Sequence, residues 1–203
     1  MKRLLIIGAS AMGRETCAYA RECGMEVKGF LDSRTGLLSG LPGYPPILGP
    51  VDGYSVEDGD VFVCAVGDPV EKLKYAAAVA AKGGSFVSIV HPSAYIGMNV
   101  RLGEGSIICP GVVITNDTEL GNHVIVNVAA SVNHDNCVGE GTTIGPGCRL
   151  AGRVTIGRRV FVGAGATLIP DVALGDGVFV AAGAVVTKSF ESGRLMGVPA
   201  VCK

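Results

Sequence analysis

Residues 120–157 read LGNHVIVNVAASVNHDNCVGEGTTIGPGCRLAGRVTIG, and every sixth residue is aliphatic: Leu120, Val126, Val132, Val138, Ile144, Leu150 and Ile156. The series extends back through Ile114, Ile108 and Leu102 to Ile96. It runs forward through Val162, Leu168, Leu174 and Val180 to Val186. Two places before each aliphatic position the residue is almost always small or β-branched, as at Val124, Ala130, Thr142, Cys148 and Val154. An α-helix repeats its apolar stripe at three and four residues and a half-buried strand at two, so a period of six fits neither. It fits a triangular coil. Each hexapeptide is one flat side, its aliphatic residue fills the interior, and three sides close a turn. Residues 18 apart then stack, and successive turns pair as parallel strands that satisfy each other's backbone groups.

Upstream of the repeat the pattern changes. Arg3 to Ile7 reads as a short apolar strand, Gly13 to Cys23 as a helix and Val27 to Leu31 as a second strand. Leu41 to Pro50 is rich in Pro and Gly and reads as loop, and Val61 to Val66 is a continuous apolar run of the kind buried in parallel sheets. Asp68 then Pro69 form an N-cap and a first-turn proline for a helix to about Lys82, and Phe86 to Val90 reads as a further strand. The expected architecture is an α/β Rossmann-like domain over residues 1–91, followed by a parallel β-helix with a C-terminal tail over 92–203.

The 203 residues include 31 glycines and carry a net charge of −1, with no basic stripe of the sort that neutralises nucleic-acid phosphates. No apolar run is long enough to span a membrane, so neither nucleic acid nor membrane insertion is expected, and the cytoplasm is the expected location. Seven cysteines without a CxxC pair read as small buried apolar residues.

Only His91, His123 and His134 offer an imidazole. His134 is out of phase with both interior positions, so its ring faces outward near a turn, and Asp135 follows it. That pairing suits a general base oriented by a carboxylate, and it equally suits a surface His beside a surface Asp. Gly152 lies 18 residues on, one turn away on the same face, where its N–H can meet a developing oxyanion. His91, before Pro92, reads as structural, and His123, lacking an adjacent acid, as a solvated turn residue. At the amino terminus, Gly8-Ala9-Ser10-Ala11-Met12-Gly13 follows a strand and opens a helix, which turns backbone N–H groups toward a phosphate. Asp32 ends the second strand, where an acid can hold a ribose.

The order of motifs resembles the NeuD/PglD-like sugar O-/N-acetyltransferases, a family of hexapeptide-repeat acyltransferases with a left-handed parallel β-helix. The residues that carry the resemblance are GASAMGRE at Gly8–Glu15, FLDS at Phe30–Ser33, AVGD at Ala65–Asp68 and HPSA at His91–Ala94. They continue with VNVAASVNHDNCVGEG at Val126–Gly141, LAGRVTIG at Leu150–Gly157 and GAVVTK…GVPA at Gly183–Ala200. The left hand of the coil comes from the resemblance, since parallel crossovers in general are right-handed. The resemblance implies an enzyme that moves an acetyl group from acetyl-CoA to an amino or hydroxyl group of a nucleotide-linked sugar, for surface glycan synthesis. It implies His134 as proton acceptor, Asp135 as the acid that raises its basicity, and the Gly152 N–H as oxyanion donor. Thr143, Gly152, Ala164 and Ala182 would line the coenzyme, Thr143 standing where the family often has a second histidine. Lys188, Arg194 and Lys203 read individually as solvated surface charges, with contact to the coenzyme phosphates as the other reading. Ser10, Ala11, Met12, Gly13, Asp32, Ser33 and Gly67 would hold the nucleotide sugar, with Met12 and Ser33 departing from the family's usual His and Asp. It further implies a homotrimer with sites between subunits and no metal. Two other readings are a zinc enzyme, which would need three converging histidines, and a non-catalytic sugar-nucleotide or dinucleotide sensor on a trimeric stalk.

Overall fold

The structure, a computed structural model, describes residues 2–197. Cys202, Lys203 and the last three residues of the GVPA motif lie outside the described residues. The chain opens with β1 (Arg3–Ile7), α1 (Ala11–Glu22), β2 (Val27–Leu31), β3 (Asp60–Cys64), α2 (Pro69–Ala80) and β4 (Ser85–Phe86). The four strands form one parallel sheet in the order β2-β1-β3-β4. Beyond their first residues, Arg3 and Asp60, β1 and β3 are apolar and buried because both faces of this sheet are covered. The turn from β1 into α1 depends on close backbone approach. A Cβ on Gly13 would lie 1.9 Å from the Gly8 carbonyl oxygen, so only glycine lets α1 start there. The Asp68 carboxylate caps α2 by accepting from the N–H groups of Val70 and Glu71, with Pro69 in the first turn.

The run Phe86 to Val90 is not one strand, as its sequence suggests. Phe86 ends the sheet on β3, whereas Ile89–Val90 pairs with Ile107–Ile108 and is the first strand of the coil. Ser88 makes the transfer: its hydroxyl donates to the Gly103 carbonyl and accepts from the Ser106 N–H. One apolar cluster consequently runs from Leu4 and Phe30 through Ile89 to Val186.

From Ile89 to Leu195 the chain is a left-handed parallel β-helix. Its first face carries Ile89–Val90, Ile107–Ile108, Ile125–Val126, Thr143–Ile144, Phe161–Val162, Phe179–Val180 and Arg194–Leu195. The second carries Tyr95–Ile96, Val113–Ile114, Ser131–Val132, Arg149–Leu150, Thr167–Leu168 and Val185–Val186. The third carries Arg101–Leu102, Glu119–Leu120, Cys137–Val138, Thr155–Ile156 and Ala173–Leu174. From Ile89 to Val186 every strand pairing is between residues 18 apart, so sequence register is spatial register; the last strand, Arg194–Leu195, pairs with Phe179–Val180 at a separation of 15. The small interior positions that are polar satisfy themselves on the next turn. Ser106, Thr118, Thr142 and Cys148 donate to the carbonyls of Gly121, Asn133, Gly157 and Gly163. Such bonds keep a buried hydroxyl from costing its desolvation. Cys17, Cys64, Cys109 and Cys148 are buried and free, Cys23 is half-buried, and Cys137 departs from the expected pattern by facing outward. Among the described residues no helix is long and apolar enough to cross a membrane.

Candidate active site

The corner between the second and third faces is built from two stacked columns. One holds Met98, Asn116, His134, Gly152 and Pro170; the next holds Asn99, Asp117, Asp135, Arg153 and Asp171. Every member of the second column has a left-handed backbone, with φ from 58° to 66°. Asn and Asp tolerate that region better than most residues. Within it Asn99 donates to Asp117, and Arg153 forms a two-bond ion pair with Asp171. Asp135, between those pairs, turns to its neighbour instead: its Oδ2 lies 2.7 Å from His134 Nδ1. A carboxylate only accepts, so Nδ1 is the donor, and in the neutral ring Nε2 presents its lone pair.

The imidazole lies across Gly152. A Cβ built there would stand 2.5 Å from His134 Cε1 and 2.6 Å from Nε2. The ring therefore occupies the volume that any other side chain at 152 would fill. Among the described residues no acceptor takes the Gly152 N–H. Beneath the corner, the buried Asn136 amide donates to the carbonyls of Asn133 and Ala151, the residues preceding His134 and Gly152, and accepts from the Val154 N–H. This buried amide ties the two turns together. It sits at an interior small-residue position, and its chemistry was the available signal there. His134 and Asp135 are each about half exposed, at 53%.

Two expectations change. Thr143 is not on an open surface: it is 4% exposed on the first face, and its Oγ1 accepts from Lys72 Nζ at 2.7 Å. Ala164 and Ala182 are exposed, but on the corner between the first and second faces, so one chain does not bring them to His134. His123 is not solvated. It stands on the third–first corner, edge-on to Phe86 at 4.6 Å, with a buried Nδ1 that has no partner among the described residues. Burial lowers its pKa, and because it stands on a different corner it does not converge with His134. Lys188 and Arg194 stack on Phe190 and Phe179. His91 is buried between α1 and the coil, with Nε2 on Glu22 and Nδ1 accepting from the Ser93 N–H.

Lys72 is the group least legible in sequence. It is fully buried at the seam between α2 and the coil, and its Nζ meets only the Thr143 hydroxyl and the Thr142 carbonyl. Burial pulls its pKa from 10.5 down to about 7, against the favourable charge of Asp68. The signal was its place on the stripe Pro69, Lys72, Ala76, Val79 of α2. Because the unfolded chain holds this proton up to about pH 10 and the folded chain releases it near 7, stability rises with pH through that window. The penalty is fully present below pH 7. The Tm of the wild type is expected to climb between pH 7 and 9, and Lys72→Met should flatten that slope while sparing the fold. Equal slopes in both proteins would contradict the assignment.

A cavity of about 460 Å³ opens at the carboxyl ends of β1, β2 and β3, where ligands bind in open parallel sheets. Ser10, Asp32, Ser33 and Gly67 line it. Ala11, Met12 and Gly13 do not: Gly13 is buried against Gly8, and Met12 packs on the apolar core. The Ser10 hydroxyl makes no cap bond to α1, so it is free for a ligand. Burial would raise the Asp32 pKa, but bonds from the Arg34 side chain and the N–H groups of Ala9 and Arg34 outweigh it and hold it below its ordinary value.

Residues 138–169 and 153–188 match the bacterial transferase hexapeptide (six repeats) family. No curated protein matches the chain. The acetyltransferase domain of PglB from Neisseria gonorrhoeae FA1090 superposes with a TM-score of 0.90 at 28% identity, covering 97% of each chain. PerB from Caulobacter crescentus, crystallised with CoA and GDP-perosamine, is 33% identical over 100% of this chain and 98% of its own, with a TM-score of 0.89. The chain belongs to the NeuD/PglD-like sugar acetyltransferases. WeeI from Acinetobacter baumannii AYE, 24% identical with a TM-score of 0.83 and covering 97% of this chain and 94% of its own, shares the fold. In this sugar acetyltransferase the exposed His134 corner and the cavity are separate features of one chain, on the coil and on the parallel sheet.

Proposed function

We propose that this enzyme transfers the acetyl group of acetyl-CoA to an amino or hydroxyl group of a nucleotide-linked sugar, in the cytoplasm. The observation that carries the reading is the His134–Asp135–Gly152 corner: a lone pair on Nε2, an oriented Nδ1–H and an unpaired N–H one turn away. PerB, with CoA and GDP-perosamine bound, supports the same pair of substrates here.

In the proposed reaction the acceptor nitrogen or oxygen attacks the thioester carbonyl carbon as Nε2 takes its proton. The new C–N or C–O bond gives a tetrahedral oxyanion that faces the Gly152 N–H. Collapse breaks the C–S bond, and the proton held by the imidazolium passes to the leaving thiolate. Asp135 fixes the tautomer and stabilises the transient imidazolium.

Ala164 and Ala182 would bind the coenzyme from a second corner, which a single chain keeps apart from His134. Protomers packed side by side would bring the two corners together, so a homotrimer with sites between subunits follows from this reading. Residues 1–91 would act as a Rossmann-like nucleotide-sugar domain through the cavity lined by Ser10, Asp32, Ser33 and Gly67, and residues 92–203 as the acyltransferase. Thiol release from acetyl-CoA, measured against nucleotide-linked amino sugars and free sugars, tests the proposal. Turnover is expected with a nucleotide-linked acceptor. Binding of acetyl-CoA without release for any acceptor would favour a sensor.

A further inference from the structure

The carboxylate at the end of β2 has no capacity left for a ribose. Asp32 Oδ1 accepts from the Arg34 N–H and Arg34 Nε, and Oδ2 accepts from the Ala9 N–H and Arg34 Nη2, all within 3.0 Å. Two oxygens offer about four lone-pair sites, and all four are taken. Asp32 itself is 8% exposed, so water has little part in this arrangement. The expectation that Asp32 reads a ribose diol therefore meets a saturated acceptor.

The pairing has a second consequence. Arg34 engages Asp32 side-on, through Nε and Nη2, while its side chain stays 64% exposed on the cavity wall. The opposite edge of the guanidinium, Nη1 and the remaining Nη2–H, has no partner among the described residues. A planar fork of two parallel donors is thus held at a fixed angle. Such a fork matches two adjacent acceptors, as in the O6/N7 edge of guanine or a phosphate.

Position separates these two. In open parallel sheets the phosphates lie on the first strand-to-helix turn, here Gly8 to Ser10 at the start of α1, and the end of the second strand faces the nucleoside. Arg34 lies three residues beyond the last residue of β2. The wall of the same cavity also carries Asp52, whose carboxylate has no partner among the described residues and is an acceptor of the kind that the N1–H and N2–H donors of guanine need. Adenine, uracil and thymine each lack one of these paired edges.

We propose that Arg34, locked by Asp32, is the specificity-determining contact of this cavity and selects a guanine nucleotide. This rests on the nucleotide-sugar reading of the cavity and names its nucleotide. Titration calorimetry with GDP, ADP, UDP and dTDP tests it on the wild type, Arg34→Lys and Arg34→Met. Arg34→Lys keeps a positive charge beside Asp32 and removes the fork, and its melting curve and coenzyme A binding report the fold. GDP should bind the wild type about ten- to hundredfold more tightly than the other three. Both variants should lose that preference and leave the weaker nucleotides unchanged. Equal loss for all four would make Arg34 a phosphate contact and overturn the proposal, as would unchanged GDP binding or a wild-type preference for another base. If no nucleoside diphosphate binds the wild type, the nucleotide reading of the cavity falls as well.

Discussion

Replacing His134 by alanine is expected to lower kcat by about 10²- to 10⁴-fold, the usual contribution of a positioned general base. The corner has no substitute. His123 stands on another corner with its ring edge against Phe86, and His91 is buried against α1. Removal of the ring should cost little stability, because it is about half exposed and its one polar partner, Asp135, is equally exposed. The expected signature is a fall in kcat at nearly constant KM for acetyl-CoA, with an unchanged melting curve. His134→Gln should be as impaired, since an amide can fill the space and cannot take the proton. Retained turnover in His134→Ala would remove the base from the mechanism.

Gly152→Ala is expected to be nearly as damaging, for a steric reason. The added methyl would sit 2.5 Å from His134 Cε1, well inside contact distance, and the flexible side of that clash is the imidazole. The ring must swing off the corner, which breaks the 2.7 Å bond to Asp135 and moves Nε2 by an ångström or more. Misplacement on that scale costs about 10²-fold in rate. Residue 152 is not among those with a left-handed backbone, so alanine brings no conformational strain and the N–H stays where it is. A stability loss is therefore not expected, and kcat beside a melting curve separates the two effects. Full activity in Gly152→Ala would show that the imidazole works from another position.

These two predictions use features with different visibility. The phase of His134 and its stacking on Gly152 follow from the six-residue period alone, since residues 18 apart must be neighbours in a three-sided coil. That the histidine ring lies across the glycine needs coordinates. Asp135 was adjacent in sequence, but its freedom to bind His134 depends on Asn99–Asp117 and Arg153–Asp171 pairing with each other and leaving it unclaimed. At the junction the apolar run Phe86 to Val90 reads as one strand, because hydrophobic pattern does not reveal a change of sheet.

The sequence by itself determined the coil, its register and the outward placement of the candidate base. In a solenoid each residue's environment is set by residues at a fixed separation, so local pattern and three-dimensional contact carry the same information. The tertiary structure decided the rest: Thr143 beneath Lys72, 71 positions apart, the Ala164–Ala182 corner separated from the His134 corner, and Asp32 filled by Arg34. Those contacts arise where α2 docks on the coil and where one side chain competes with a ligand for another. No period governs either event, and both are settled by packing and by which donor reaches a buried acceptor first.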